Sequence, residues 1–190
     1  MKTEIEAIFY DVNPDQIRKK LIRLKAKNTR GKFKMRRVTF AVPNRDIHHW
    51  LRVRDEGDKI TVAYKCQLED GLSGTKERQI NTNDFAEAVT LFSNLGFRKQ
   101  RYEENYREIW DVSDVEVALD WWPHIKPCCE IEGKSETKVK EISKKLGFDL
   151  TKAFFGGAGH LYQHVYGKGD STWILDMTEE LTFDQKNPFI

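Results

Sequence analysis

The chain has little from which a disulfide framework or a zinc site could be built. Its 190 residues hold three cysteines, two of them adjacent as Cys128-Cys129, with no C-x-x-C pair. That usage fits a reducing compartment. The chain has no apolar signal region at its start and no apolar run of about 18 residues, so a cytoplasmic protein with no membrane partner is expected. Net charge is scarce too. A balance of +2 argues against a general nucleic-acid coat, and nucleic acid is not an expected partner. Internal repeats and low-complexity segments are also missing.

What is abundant is charge of both signs. The chain carries 32 basic and 30 acidic residues beside 39% hydrophobic content, enough for one sizeable core with many charges left to place. One domain over 1–190 is the expectation. The placement problem starts in the first residues, Lys2-Thr3-Glu4-Ile5-Glu6-Ala7-Ile8. On a strand Glu4 and Glu6 share one face, and Ile5 and Ala7 the other. Paired carboxylates facing inward are costly unless cations or hydrogen bonds offset them.

The same alternation recurs along the chain. Trp50-Leu51-Arg52-Val53-Arg54 sets Leu51 and Val53 against Arg52 and Arg54. Glu56-Gly57-Asp58 turns the chain into Lys59 to Leu68, where Lys65 opposes Tyr64 and Cys66. Met35 to Val42, Thr75 to Ile80, Arg98 to Val112, Val115 to Leu119 and Cys128 to Glu132 read as further strands, and 28–32 as a loop turning at Gly31. Three amphipathic helices follow good start signals: Asn13-Pro14, Asn83-Asp84 and Ser135. A short helix is expected over His160 to Tyr166, and one more strand at Trp173 to Met177.

At least six strands carry charge on one alternate face, and the helices are available to cover the other. Helices packed outside would leave the charged faces looking at one another. The expected fold is therefore α+β: a closed antiparallel eight-stranded barrel with a hydrated, charged interior and flanking α-helices. Its interior sorts into two sets. Glu4, Glu6, Glu116, Asp120, Glu130 and Glu132 are hard oxygen ligands suited to Mg²⁺ or Mn²⁺. Arg37, Arg52, Arg54, Lys65, Lys99, Arg101 and Arg107 suit a polyphosphate. Cys128 shares the parity of Glu130 and Glu132. Trp121-Trp122 reads as packing at a barrel end, with base stacking the lesser option. His160 and His164, four apart, lack a third metal ligand nearby.

Several ordered pieces then resemble the CYTH superfamily, the triphosphate tunnel metalloenzymes. They are Glu4-Ile5-Glu6, Leu51-Arg52-Val53-Arg54, Tyr64-Lys65, Glu77, Arg107-Glu108-Ile109-Trp110, Val115 to Asp120, Glu130-Ile131-Glu132-Gly133 and Leu146-Gly147-Phe148. The resemblance covers about residues 2–166, leaving 167–190 as an extension, and is greatest to the class IV adenylate cyclase branch. It implies a metal-dependent enzyme acting on ATP, with inorganic or thiamine triphosphatase and a non-catalytic triphosphate- or polyphosphate-binding module as alternatives, and leaves a homodimer open. It further implies metal ligation by Glu4, Glu6, Asp120, Glu130 and Glu132, and catalytic roles for Glu4, Glu6, Arg54 and Lys65. Substrate contacts would come from Arg52, Arg54, Lys65, Glu77, Arg107 and Tyr162, with Arg37, Lys99 and Arg101 added by parity. Two positions depart from the family pattern. The lysine of E-x-E-x-K is Ile8 here, and K-x-R on the long strand is Asn105-Tyr106-Arg107.

Overall fold

The computed structural model describes residues 1–45, 48–167 and 177–190. These residues form ten strands and four α-helices. In chain order they are β1 (Lys2–Glu4), β2 (Glu6–Tyr10), α1 (Pro14–Arg23), β3 (Lys27–Ala41), β4 (His49–Asp55), β5 (Ile60–Gln67) and β6 (Thr75–Thr82). There follow α2 (Phe85–Asn94), β7 (Lys99–Val112), β8 (Val115–Trp121), β9 (Cys128–Gly133), α3 (Glu136–Lys145), α4 (Gly159–Tyr166) and β10 (Glu180–Leu181).

The sheet runs β1-β6-β5-β4-β3-β7-β8-β9-β2. Its first and last members are two halves of one N-terminal run, broken at Ile5, so the sheet curls into a nearly closed barrel of eight staves. β1 pairs with β6 and β2 pairs with β9, both antiparallel. At the break the Glu6 amide donates to Leu72 O (2.9 Å) and the Gly133 amide to Ile5 O (3.0 Å). The chain itself thus closes the barrel, which leaves less open edge for another strand to join.

Local chemistry explains the elements. Asn13, Asp84 and Ser135 each accept a hydrogen bond from the amide three residues on, capping α1, α2 and α3. Ser113 and Asp114, at φ 55° and 62°, form the two-residue turn between β7 and β8, and paired left-handed residues match the twist of the flanking strands. The outward rows of β2, β7, β8 and β9 bury Ala7, Trp110, Val117, Leu119 and Ile131 beneath α1 and α3. On the other side, Val38, Phe40, Leu51, Val53 and Val62 pack under α2. A third apolar cluster of Ile8, Trp122, Leu161, Tyr162, Leu181 and Phe189 sits where α4 and the C-terminal residues meet the barrel.

One expectation about elements changes, and another lies outside the described residues. Residues 28–32 are strand, not loop: β3 begins at Lys27 and pairs with β7 through register shifts between Asn28, Arg30 and Phe33. These irregularities absorb the turn signal of Gly31. The expected strand at Trp173 to Met177 lies almost wholly outside the described residues. Among its described residues the extension adds β10, parallel to β7 at Tyr102 and Glu103. Among the described residues no helix is long and apolar enough to cross a membrane.

Candidate active site

The inward rows enclose a cavity of about 390 Å³, and its wall has two sectors. β2 and β9 bring Glu6, Glu130 and Glu132 together, with one carboxylate oxygen of each within 4.8 Å of the others. The registers Glu6↔Glu132 and Ile8↔Glu130 place them there, and β8 adds Glu116 beside Glu132. Burial, and next the charge of Glu130, pushes the Glu6 carboxyl up to about 8. Burial also raises Glu116, aided by Glu130 and Glu132 against the pull of Arg107. Crowded, desolvated carboxylates of this kind are relieved by a proton or a cation.

Facing them is the cationic sector. Arg52 and Arg54 of β4 and Arg37 of β3 point inward, with Lys65 from β5 and Arg101 and Arg107 from β7. Lys65 Nζ lies 2.6 Å from Glu4 Oε2, and Arg52 lies 3.3 Å from Glu77. Glu4 and Glu77 are hydrogen-bonded to each other. Burial raises Glu4, against the pull of Lys65, whereas Glu4, Lys65 and Arg52 outweigh burial at Glu77 and hold it low. Arg54 pairs with Glu56 (2.6 Å), and Arg101 donates through Nε to Glu103 (2.7 Å).

Arg107 is held most firmly. It grips Asp120 at 2.8 and 2.6 Å and reaches Glu130 at 3.0 Å. Burial works against its charge, but Asp120 and Glu130 more than offset this and keep the guanidinium well above its ordinary range. Asn105 joins the network at one of the departing positions, accepting from Arg37 and donating to Asp120 (3.0 Å).

The cations are not fully satisfied by these partners. The buried Nε atoms of Arg37, Arg52 and Arg54, and Nη1 of Arg101, have no hydrogen-bond partner among the described residues. Burial lowers Arg37 and Arg54 below the ordinary guanidinium range, and crowding by neighbouring guanidinium groups adds to it. Guanidinium groups do not give up their protons in such settings, so the penalty stands as uncompensated positive charge. A polyanion would relieve it.

Most of the residues singled out from sequence line this cavity, but they do not group as one set. Of the expected metal ligands, Glu6, Glu130 and Glu132 converge. Glu4 is engaged with Lys65, and Asp120 with Arg107. Lys99 is not at the site. One residue of β3 steps from Arg101 to Lys99 between Thr39 and Phe40, a bulge that turns Gln100 inward and leaves Lys99 exposed. Tyr162 is fully buried outside the cavity lining, its hydroxyl donating to Pro123 O at 2.7 Å. Cys128 lines the cavity, as does Ile8. Trp122 lies under Arg37, with the guanidinium carbon 4.6 Å from the ring, and Trp121 carries Lys32 on the outside. The sequence reading missed Glu56, Glu103, Trp50 and Gln100. The first two share the parity of Arg54 and Arg101, which was signal enough. The bulge at Gln100 has no such mark.

Comparisons with known proteins agree with this geometry. The model of the CYTH domain matches residues 3–154. A Methanocaldococcus jannaschii protein named as a candidate adenylate cyclase, MJ0240, is 30% identical over 103 residues, 54% of this chain and 58% of its own. The chain thus matches a little over half the length of that curated relative. Among solved structures, the PH1012 protein of Pyrococcus horikoshii is 25% identical with a TM-score of 0.68, covering 79% of this chain and 93% of that one. A candidate adenylate cyclase of Vibrio parahaemolyticus shares the fold at 11% identity, with a TM-score of 0.73 over 85% of this chain and 98% of that one. With a matching family model over most of its length and a barrel lined by opposed acidic and basic sectors, this chain belongs to the CYTH domain family.

Proposed function

We propose that the cavity binds a triphosphate with a divalent cation and promotes attack at phosphorus, in the manner of an adenylate cyclase acting on ATP. The observation that carries the reading is the division of one buried wall into a carboxylate cluster and a guanidinium cluster with unfilled donors. The donor set fits a hard cation: three carboxylates and no thiolate or imidazole, crowded enough for Glu6 to be driven toward the protonated form. Glu6, Glu130 and Glu132 would hold Mg²⁺ or Mn²⁺. Such a cation, when bound, neutralises charge on phosphoryl oxygens and on the leaving group.

The remaining work falls to residues of this chain. Arg52, Arg54 and Arg37 offer paired donors along the cavity, suited to non-bridging phosphate oxygens as charge builds during transfer. Lys65, fixed by Glu4, adds a point charge beside them. Arg107 holds Asp120 in place and shares Glu130 with the acidic cluster, so it couples the two sectors. The name of the archaeal relative supports cyclisation, with the ribose 3′-hydroxyl as nucleophile and pyrophosphate as leaving group.

The test is a panel of ATP, thiamine triphosphate and tripolyphosphate with Mg²⁺ and with Mn²⁺, the products separated chromatographically. Cyclic nucleotide with pyrophosphate supports the cyclase reading. Phosphate release replaces it with a triphosphatase. Binding without any product makes the protein a triphosphate-binding module, the result to which Ile8 and Asn105, replacing two family lysines, would contribute.

A further inference from the structure

Among the described residues, 27–35 of β3 and 78–82 of β6 each have a neighbouring strand on one side only, and the two edges are built differently. β4 pairs with β3 only from Arg36 onward, which leaves 27–35 with β7 alone. That edge carries Lys27, Arg30, Lys32 and Lys34 and is broken by register shifts, features that discourage a further strand. On β6, pairing with β1 stops at Lys2↔Glu77, which leaves 78–82 with β5 alone. This stretch runs in unbroken register and holds a single charged residue, Arg78.

The surface beside the β6 edge is apolar. Glu77 and Gln79 line the cavity, so Ile80 points outward, and it is 64% exposed. On β5 it faces Val62, which is buried under α2 together with Ala88. Leu91 and Leu95, 56% and 62% exposed, follow Ala88 at three and seven residues and so share its side of the helix. Ile80, Leu91 and Leu95 thus carry the apolar cluster out to the surface next to an open strand edge.

A second copy of the same strand fits this edge. An antiparallel pair with its two-fold axis at Ile80 sets Ile80 against Ile80, Gln79 against Asn81 and Arg78 against Thr82, with no like charges opposed. Asp84, the N-cap carboxylate of α2, lies two residues beyond Thr82 and so diagonal to the facing Arg78. Other registers on the same face are worse. An axis at Arg78 opposes two arginines and runs into the residues that β1 already occupies, and an axis at Thr82 sets Ile80 against Asp84. We propose that the chain forms a two-fold dimer through β6, which joins the two barrels in one continuous sheet. Ile80 is its centre, Leu91 and Leu95 cover the joint, and each partner strand closes the wall at Gln79 where β1 stops. The dimer is independent of the reaction that the cavity carries.

Sedimentation equilibrium of the full chain at micromolar concentration should give twice the chain mass of 22.3 kDa. Ile80→Lys should weaken association about thirtyfold or more, the loss expected when a central interface residue is removed, with the melting temperature of the monomer unchanged. If that variant melts below the assay temperature, Leu91→Lys combined with Leu95→Lys takes its place. The register has its own test. A residue on the two-fold axis meets its own copy, so Ile80→Cys should form an intermolecular disulfide on mild oxidation. Ile22→Cys, equally exposed but on α1, should not, and Cys66, Cys128 and Cys129 are buried. A monomer at every concentration overturns the dimer. So does a dimer that is indifferent to Ile80→Lys, or one that Ile80→Cys fails to cross-link.

Discussion

The two sectors of the cavity wall solve the same problem in opposite ways. On β3, β4 and β5 almost every cation has a carboxylate against it: Arg52 has Glu77, Arg54 has Glu56 and Lys65 has Glu4. On β2, β8 and β9, Glu6 and Glu116 have no such partner among the described residues, and their carboxyls are raised. Arg52, Arg54 and Lys65 each keep a counter-charge without a ligand, whereas Arg37 meets only the Asn105 carboxamide among the described residues. In the clustered sector Glu130 is held low by Arg107, while Glu6 and Glu116 are raised and would ionise more readily beside a cation. This difference supports the proposal that the cation binds in the acidic sector. The proposed place for the phosphates is the basic one, where donors remain unfilled by partners among the described residues.

Breaking the acidic sector should have the largest effect. Replacing Glu6 and Glu130 together by glutamine should remove cation-dependent turnover altogether, measured over a range of Mg²⁺ and Mn²⁺ concentrations. Next in size is the basic sector. Arg52→Met or Arg54→Met should lower kcat by about a hundredfold or more, the scale seen when one donor to developing charge is lost. Lysine at either position should rescue only part, since a point charge does not reproduce a forked donor.

Arg107 joins the sectors, so its loss should be read in stability. Arg107→Met leaves Asp120 buried beside Glu130 without its cation and should cost roughly 3–5 kcal/mol in denaturant unfolding. The acidic sector alone should also make the metal-free protein pH-sensitive. Folded Glu6 holds its proton up to about pH 8, whereas the unfolded chain releases it near the ordinary value of 4.5. The folded state therefore binds more protons across that window. Stability from this group is full below the lower value and falls as pH rises through the upper one. With a chelator present, Tm should drop between pH 5 and 9, and Glu6→Gln should flatten the profile. The smallest effect belongs to Lys99→Ala, which should change neither turnover nor Tm beyond about 0.5 kcal/mol, because the bulge leaves that side chain outside the cavity.

That last case shows where the sequence was legible and where it was not. Alternation of charged and apolar residues identified the inward rows of β4, β5, β8 and β9, because one buried face imposes a period of two. The caps Asn13, Asp84 and Ser135 were legible because a side-chain oxygen there satisfies an orphan amide. Parity counting failed at Lys99, since a bulge shifts the count by one without any change in composition. It also said nothing about pairing inside the wall. Glu4 and Glu6 share a face, yet one is taken by Lys65 and the other joins Glu130 and Glu132. Only the register between distant strands decides that. Tyr162 was misplaced for a related reason, since α4 buries its ring outside the cavity lining and ties its hydroxyl to Pro123 O.

The central claim is that opposed charge sectors in one barrel bind a triphosphate and a divalent cation together. Calorimetric titration of ATP into the protein, with Mg²⁺ and with chelator, tests it most directly. The account expects saturable binding of one ATP per chain that tightens with Mg²⁺, weakens with Arg52→Met, and loses its Mg²⁺ dependence with Glu6→Gln combined with Glu130→Gln. Binding that is absent, or that is indifferent to both substitutions, would contradict it.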